Sequence, residues 1–207
     1  LADMLFTIGH SSQGIEKFLE LLSGNSIGVL VDVRSQPASR FAPHFDAAAL
    51  KNDLTRKGIK YMYMGRELGG KPSDPSMYDK KGYASYNLMA QAPAFLMAIQ
   101  RLVNGAQTHR IAVMCSEEDP TECHRHLLLA RVLAQQGIQV AHIRGDGQLQ
   151  TESELNQAER ASEETPGQFR LICSEATEEK WKSAKPIRSA SRNAVPETSS
   201  KHSKTAA

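Results

Sequence analysis

Cysteine is scarce in this chain, and the patterns missing around it narrow the possibilities early. Three occur in 207 residues: Cys115, Cys123 and Cys173. An odd number with no Cys-x2-Cys pair builds neither a disulfide framework nor a ribbon-type zinc site, so reduced thiols in a cytoplasmic compartment are expected. No apolar run reaches the roughly 18 residues of a membrane span, and no signal-peptide pattern is visible, so no membrane partner is expected. A G-x-G-x-x-G fingerprint is absent, which leaves a nicotinamide or flavin cofactor without support; the sequence identifies no cofactor. One stretch, Gly65-Arg66-Glu67-Leu68-Gly69-Gly70-Lys71, has the spacing of a phosphate-binding loop. Position 72 is proline where the magnesium hydroxyl belongs, however, and Pro72 and Pro75 disfavour the helix that must follow.

What is present is a neutral core with a basic end. Residues 1–160 hold 17 Lys+Arg against 17 Asp+Glu, and from Lys182 onward six basic residues face the single acid Glu197. Apolar periodicity predicts strands near 4–9, 27–33, 59–64, 110–115 and 139–143. Helices are predicted at 15–22, 46–57 and 92–103, from Pro120 to Gly137, and at 151–160. Residues 65–88 lack periodicity and carry Tyr78, Tyr83 and Tyr86; a connection that long suggests a lid or a binding loop. The alternation implies an α/β fold: one Rossmann-like, three-layer domain with a mostly parallel, about five-stranded sheet covered by helices on both faces. It is expected to span 1–160, followed by a peripheral extension (161–182) containing an apolar island at 169–173. Residues 183–207 read as a disordered basic tail, because too little apolar area is available there to offset chain entropy.

In a parallel sheet the carboxyl ends of the strands share one edge, where ligands bind. His10 and Ser11 follow the first strand, Asp32, Arg34 and Arg40 the second, Arg66 and Glu67 the third, and Cys115 and Glu117 the fourth. Asp119 is a good N-cap and Pro120 suits a first helical position, so Cys123, His124 and Arg125 are expected on the first turns of the next helix. Polar residues after successive strands exceed what turn and capping chemistry needs.

Three chemistries fit the cysteines, beside the plain alternative of small buried residues. Cys115 suits a thiolate nucleophile, with His124 or His10 as base and a helix N-terminus and Arg125 lowering its pKa. The Cys-x5-Arg spacing of thiol phosphatases is absent, since position 121 is Thr121. Cys115, Cys123 and His124, with His10 or a carboxylate, also suit zinc, although neighbours on a helix point about 100° apart, which makes an adjacent Cys-His pair awkward. A redox disulfide between Cys115 and Cys123 is the third. Arg34, Arg40, Arg66 and Arg125 suit forked contacts to a phosphate or carboxylate, with Asp32, Glu67 and Glu117 orienting them or moving protons. Asp32 and Arg34, two apart on a strand, share a face and can equally form a structural pair. His109, His126 and His142 read as ordinary histidines.

Together Thr7-Ile8-Gly9-His10-Ser11, Asp32-Val33-Arg34-Ser35 with Pro37, Ser39 and Arg40, Glu67-Leu68-Gly69-Gly70, and Cys115-x-Glu117-x-x-Pro120-x-x-Cys123-His124-Arg125 resemble the bacterial and archaeal family known as domain of unknown function 488. The resemblance covers roughly residues 4–145. It implies a single α/β domain and these site residues, and supplies no reaction. The reading is therefore an enzyme acting on a small anionic or nucleotide-like substrate at a Cys/His/Arg site. The alternatives are a zinc site on Cys115, Cys123 and His124, and a non-catalytic module that grips an anion or nucleic acid with the arginines and the basic tail. The neutral core ranks nucleic acid second.

Overall fold

The computed structural model describes residues 4–163 and 181–187. The island at 169–173 and the tail beyond 187 lie outside these residues. Six strands form one sheet: β1 (Met4–Gly9), β2 (Val29–Asp32), β3 (Lys60–Tyr63), β4 (Ile111–Cys115), β5 (Gln139–Ile143) and β6 (Leu149–Thr151), in the spatial order β3-β2-β4-β1-β5-β6. The first five are parallel, and β6 adds an antiparallel edge to β5. This is the α/β fold the sequence implies. The extra strand was not legible because three residues are too few for a periodicity. A tight turn leads into it: Arg144 N donates to Gln148 O at 2.9 Å, and Gly147 takes a φ of 93° that favours glycine.

The central strands are largely apolar on both sides because helices cover both sides. Phe6, Ile8, Leu30, Ala112 and Met114 pack on α1 (Ile15–Gly24) and α2 (Ala47–Arg56) through Phe18, Leu22, Leu50 and Leu54. Leu5, Val31, Val113 and Cys115 face the other way. There they meet α5 (Pro93–Ala106) and a helix that starts as a π-turn at Arg125–Ala130 and continues as α6 (Arg131–Gln135). Two short helices, α3 (Gly65–Leu68) and α4 (Tyr86–Gln91), break up the long connection before α5. Each fully buried Leu or Phe in these layers contributes about 1.5–3 kcal/mol.

This arrangement creates a switch point. β4 lies between β1 and β2, whose helices α1 and α2 cover one face, whereas the helix after β4 covers the other. Adjacent connections that leave in opposite directions open a crevice at the carboxyl end of the middle strand. That end is Cys115. No described helix is long and apolar enough to cross a membrane.

Residues 181–187 run along the long connection. Tyr86 N donates to Trp181 O at 3.0 Å, Ser183 N to Ala84 O at 3.0 Å and Ile187 N to Gly82 O at 2.8 Å. The Trp181 indole donates to Leu127 O. The boundary expected at 182/183 falls inside this packed segment.

A buried polar knot ties α7 (Glu152–Glu163) to the sheet. Glu152 Oε2 lies 2.9 Å from both His126 Nδ1 and His142 Nε2, while His142 Nδ1 meets Thr7 Oγ1 at 2.7 Å. Burial alone pushes the Glu152 carboxyl up, but the hydrogen bonds from the two imidazoles outweigh it and hold it below its ordinary value. A depressed carboxyl contributes stability that is present above the unfolded pKa, about 4.3, and is lost as pH falls through the lower folded value. Glu152→Gln is therefore expected to cost about 2 kcal/mol near neutral pH. The gap from wild type should narrow below about pH 4 in urea titrations. A gap that stays constant down to the acid limit counts against this account.

Candidate functional site at the carboxyl end of β4

The loop after β4 folds in two steps. Asp119 Oδ1 accepts from Thr121 N at 2.9 Å and caps a single 3-10 turn, Pro120–Glu122. The helix does not continue from there, as the sequence led one to expect. Cys123 is extended (φ −122°, ψ 143°), and helical geometry begins only at His124. The physical reason is that Cys123 acts as a second cap. Its carbonyl accepts from His126 N at 3.1 Å and Leu127 N at 3.0 Å, and its sulfur accepts from Arg125 N at 3.5 Å. An extended residue followed by a helical one lets adjacent side chains converge.

They converge on Cys115. Its Sγ lies 3.6 Å from His124 Nδ1 and 3.0 Å from Glu117 Oε2, and Cys123 Sγ is 3.8 Å from the same His124 nitrogen. The two sulfurs and Nδ1 all lie within 4.8 Å of one another, so these three atoms could hold a metal ion. Neither thiol is in a disulfide. A hydrogen bond from Cys123 pulls the Cys115 thiol well below its ordinary value, against the effect of burial and with help from His124. Burial, and then the neighbouring Cys115, push the Cys123 thiol well up. Burial disfavours a charged His124, but Cys115 outweighs it and raises the imidazole. Burial and Cys115 both raise the Glu117 carboxyl. Two glycines make room. A Cβ on Gly70 would lie 2.8 Å from the His124 ring, and one on Gly69 would lie 2.4 Å from Ser35 Oγ.

The four arginines are not brought together. Arg34 lines the cleft, 3% exposed beside a fully buried Asp32. Its Nε donates to Asp32 Oδ1 at 3.0 Å, and Nη2 donates to Asp32 Oδ2 at 2.6 Å and Phe45 O at 2.8 Å. Nη1 lies 3.2 Å from His10 Nε2. Five donors minus these four leaves one Nη1 hydrogen without a partner among the described residues. Tyr61 Oη also donates to Asp32 Oδ2, at 2.9 Å. His10 is buried and stacked on Phe45, with Nδ1 2.8 Å from Ser11 O; burial lowers its pKa. Its two nitrogens are therefore both in use. Arg125 is fully buried below the loop and donates to the carbonyls of Glu117 and Glu118. Arg40, Arg66, Glu67 and Ser11 are exposed and do not line the cleft.

The cleft measures about 440 Å³. Arg34, Cys115, Glu117, Cys123 and His124 line it, together with Ser35 and Gly70, which the sequence offered only within family motifs, and with Lys71 and the strap 183–187, to which it gave no role at the site. The Glu67-Leu68-Gly69-Gly70 motif was the available signal for the glycines, and the lone Trp181 the signal for the strap. Tyr86, from the long connection, forms a further wall.

A family model described as "Domain of unknown function DUF488" matches residues 14–133, which include β2, β4 and the whole cluster from Cys115 to Arg125. No curated protein and no solved structure matches.

Asp32→Asn leaves the Arg34 guanidinium buried without its counter-charge. It is expected to cost about 3–5 kcal/mol, and adding Arg34→Met should recover most of that loss. Urea denaturation of the single and double variants measures both. A single-variant loss below about 1 kcal/mol, the scale of a solvated ion pair, would overturn this view of the pair.

Proposed function

The chain belongs to the DUF488 family, whose description carries no reaction, and from the geometry of its own site we propose an enzyme that acts on a small anionic, nucleotide-like substrate at the carboxyl edge of the sheet. One observation carries the reading. Cys115, Glu117, Cys123 and His124 share a cleft with Arg34, although these residues come from separate stretches of the chain. A volume of about 440 Å³ is in the usual range for small-molecule sites. Arg34 and the exposed Lys71 line its wall, and both are suited to an anionic group. Its floor carries the sulfur–imidazole–carboxylate cluster, the groups able to move protons or attack an electrophile. Asp32, Tyr61 and His10 act on the substrate only through Arg34, by fixing its plane.

A panel of small phosphates, nucleotides and carboxylates tests this, with thermal shift reporting binding and product detection reporting turnover. Lys71→Ala should weaken the best ligand by roughly tenfold, as expected for one lost charge-assisted contact. Cys115→Ser should abolish turnover while keeping the fold. The proposal falls if both variants match wild type across the panel.

A further inference from the structure

We infer that Cys115 Sγ, Cys123 Sγ and His124 Nδ1 are the protein ligands of a zinc ion, with Glu117 as the proton-moving group beside its open position. The role of Glu117 rests on the reading of the cleft as an active site; the metal site itself does not.

The spacing is the first argument. Zinc binds sulfur at about 2.3 Å and imidazole nitrogen at 2.0–2.1 Å in tetrahedral sites. Those bond lengths put neighbouring sulfur and nitrogen ligands about 3.6 Å apart, and two sulfurs about 3.8 Å apart. The observed sulfur–nitrogen separations are 3.6 and 3.8 Å, with all three donors inside 4.8 Å. A hydrogen-bond account is less economical. A single Nδ1 carries one hydrogen or one lone pair, yet it faces two sulfurs at nearly equal range. A cation in the middle satisfies all three atoms.

The backbone supplies the second argument. On one continuous helix Cys123 and His124 would diverge by about 100°. The extended Cys123 removes that obstacle and aims both side chains at the end of β4. Gly70 then closes on the imidazole and fixes its plane.

Donor chemistry and access supply the third. Two soft thiolates with one imidazole form a donor set that suits zinc, and three protein ligands with one open side are the pattern of a working rather than a structural site. The open side here is the cleft, since all three donors and Glu117 line it. Glu117 follows its neighbouring ligand by two residues, and its Oε2 is 3.0 Å from Cys115 Sγ, within reach of a molecule bound at the fourth position. His124 Nε2 is buried and has no hydrogen-bond partner among the described residues. Metal-bound histidines normally place an oxygen at this second nitrogen.

The test is metal analysis of the full chain, expressed with added zinc and purified without chelator, followed by cobalt substitution. Stoichiometric zinc and sulfur-to-cobalt charge-transfer bands are expected in wild type. Cys115→Ser, Cys123→Ser and His124→Asn should each weaken zinc binding by more than about tenfold, a loss that even outer-shell changes reach. His126, His142 and Glu152 form a second group of close donors and serve as the control. Zinc that survives the cysteine changes but leaves with Glu152→Gln belongs to that group, and overturns the assignment. Zinc absent from wild type, with Cys115 rapidly alkylated, also overturns it while leaving the proposed enzyme intact as a thiol enzyme. Zinc bound as expected, with no anion binding or turnover anywhere in the panel, keeps the metal site and removes the enzyme.

Discussion

A fully buried guanidinium holds the site in place. Arg125 has no solvent access, and it donates to the carbonyl oxygens of Glu117 and Glu118 from below. Burying that charge is costly, so the loop must present its carbonyls to it, and the loop conformation follows from this demand. β1 yields to the same demand. A Cβ on Gly9 would lie 1.7 Å from Glu117 O and 2.4 Å from Arg125 Nη1, so only glycine fits where β1 passes beneath the loop. The three residues His124, Arg125 and His126 leave the first helical turn about 100° apart and so reach three different structures. These are the sulfurs of the cleft, the carbonyls of the loop and the carboxylate of Glu152.

Arginine count is a poor guide to ligand binding in this fold. Four arginines near the carboxyl edge read as a single anion clamp, but the structure gives them separate tasks. Arg125 supports the loop, and Arg40 and Arg66 are in solvent. Arg34 alone reaches the cleft, with its charge opposed by Asp32 at 2.6 Å and most of its donors engaged. A guanidinium held on four sides offers little net charge but a well-defined direction. Such a group recognises one oxygen of a ligand by position. Exposed Lys71 is the complement, a mobile charge suited to attraction over longer range.

The sequence was informative where a local rule governed the outcome. Apolar runs located the five parallel strands, and the order of elements implied the two-faced sheet. Cys115 at the end of β4 followed from the run Ile111–Cys115 stopping at an acidic loop. The rest depended on contacts between residues far apart in the chain. His126 and His142 looked ordinary because nothing local marks a histidine that will meet Glu152 through tertiary packing. Lys71 was set aside with a failed phosphate-loop motif, although the same glycines matter for close approach to His124 and Ser35. Cys123 was misplaced for a subtler reason. Asp119 and Pro120 do start a helical turn, and no single-residue propensity shows that a sulfur four residues later will cap a second one.

Depth alone suits a structural role for the cluster, since Cys115 and Cys123 belong to the apolar core beneath the helix that follows β4. The topology argues otherwise. β4 is the strand where adjacent connections part, so at its end a deeply buried residue still borders open space. The same side chains can therefore pack on one side against Val113 and Leu128 and face a cleft on the other. Burial excludes water from the sulfurs and the imidazole and strengthens every charge interaction among them. The crevice supplies access that burial elsewhere in the sheet would deny. A cluster placed at the end of β5, next to the short edge strand β6, would lack the parting of connections that opens this cleft.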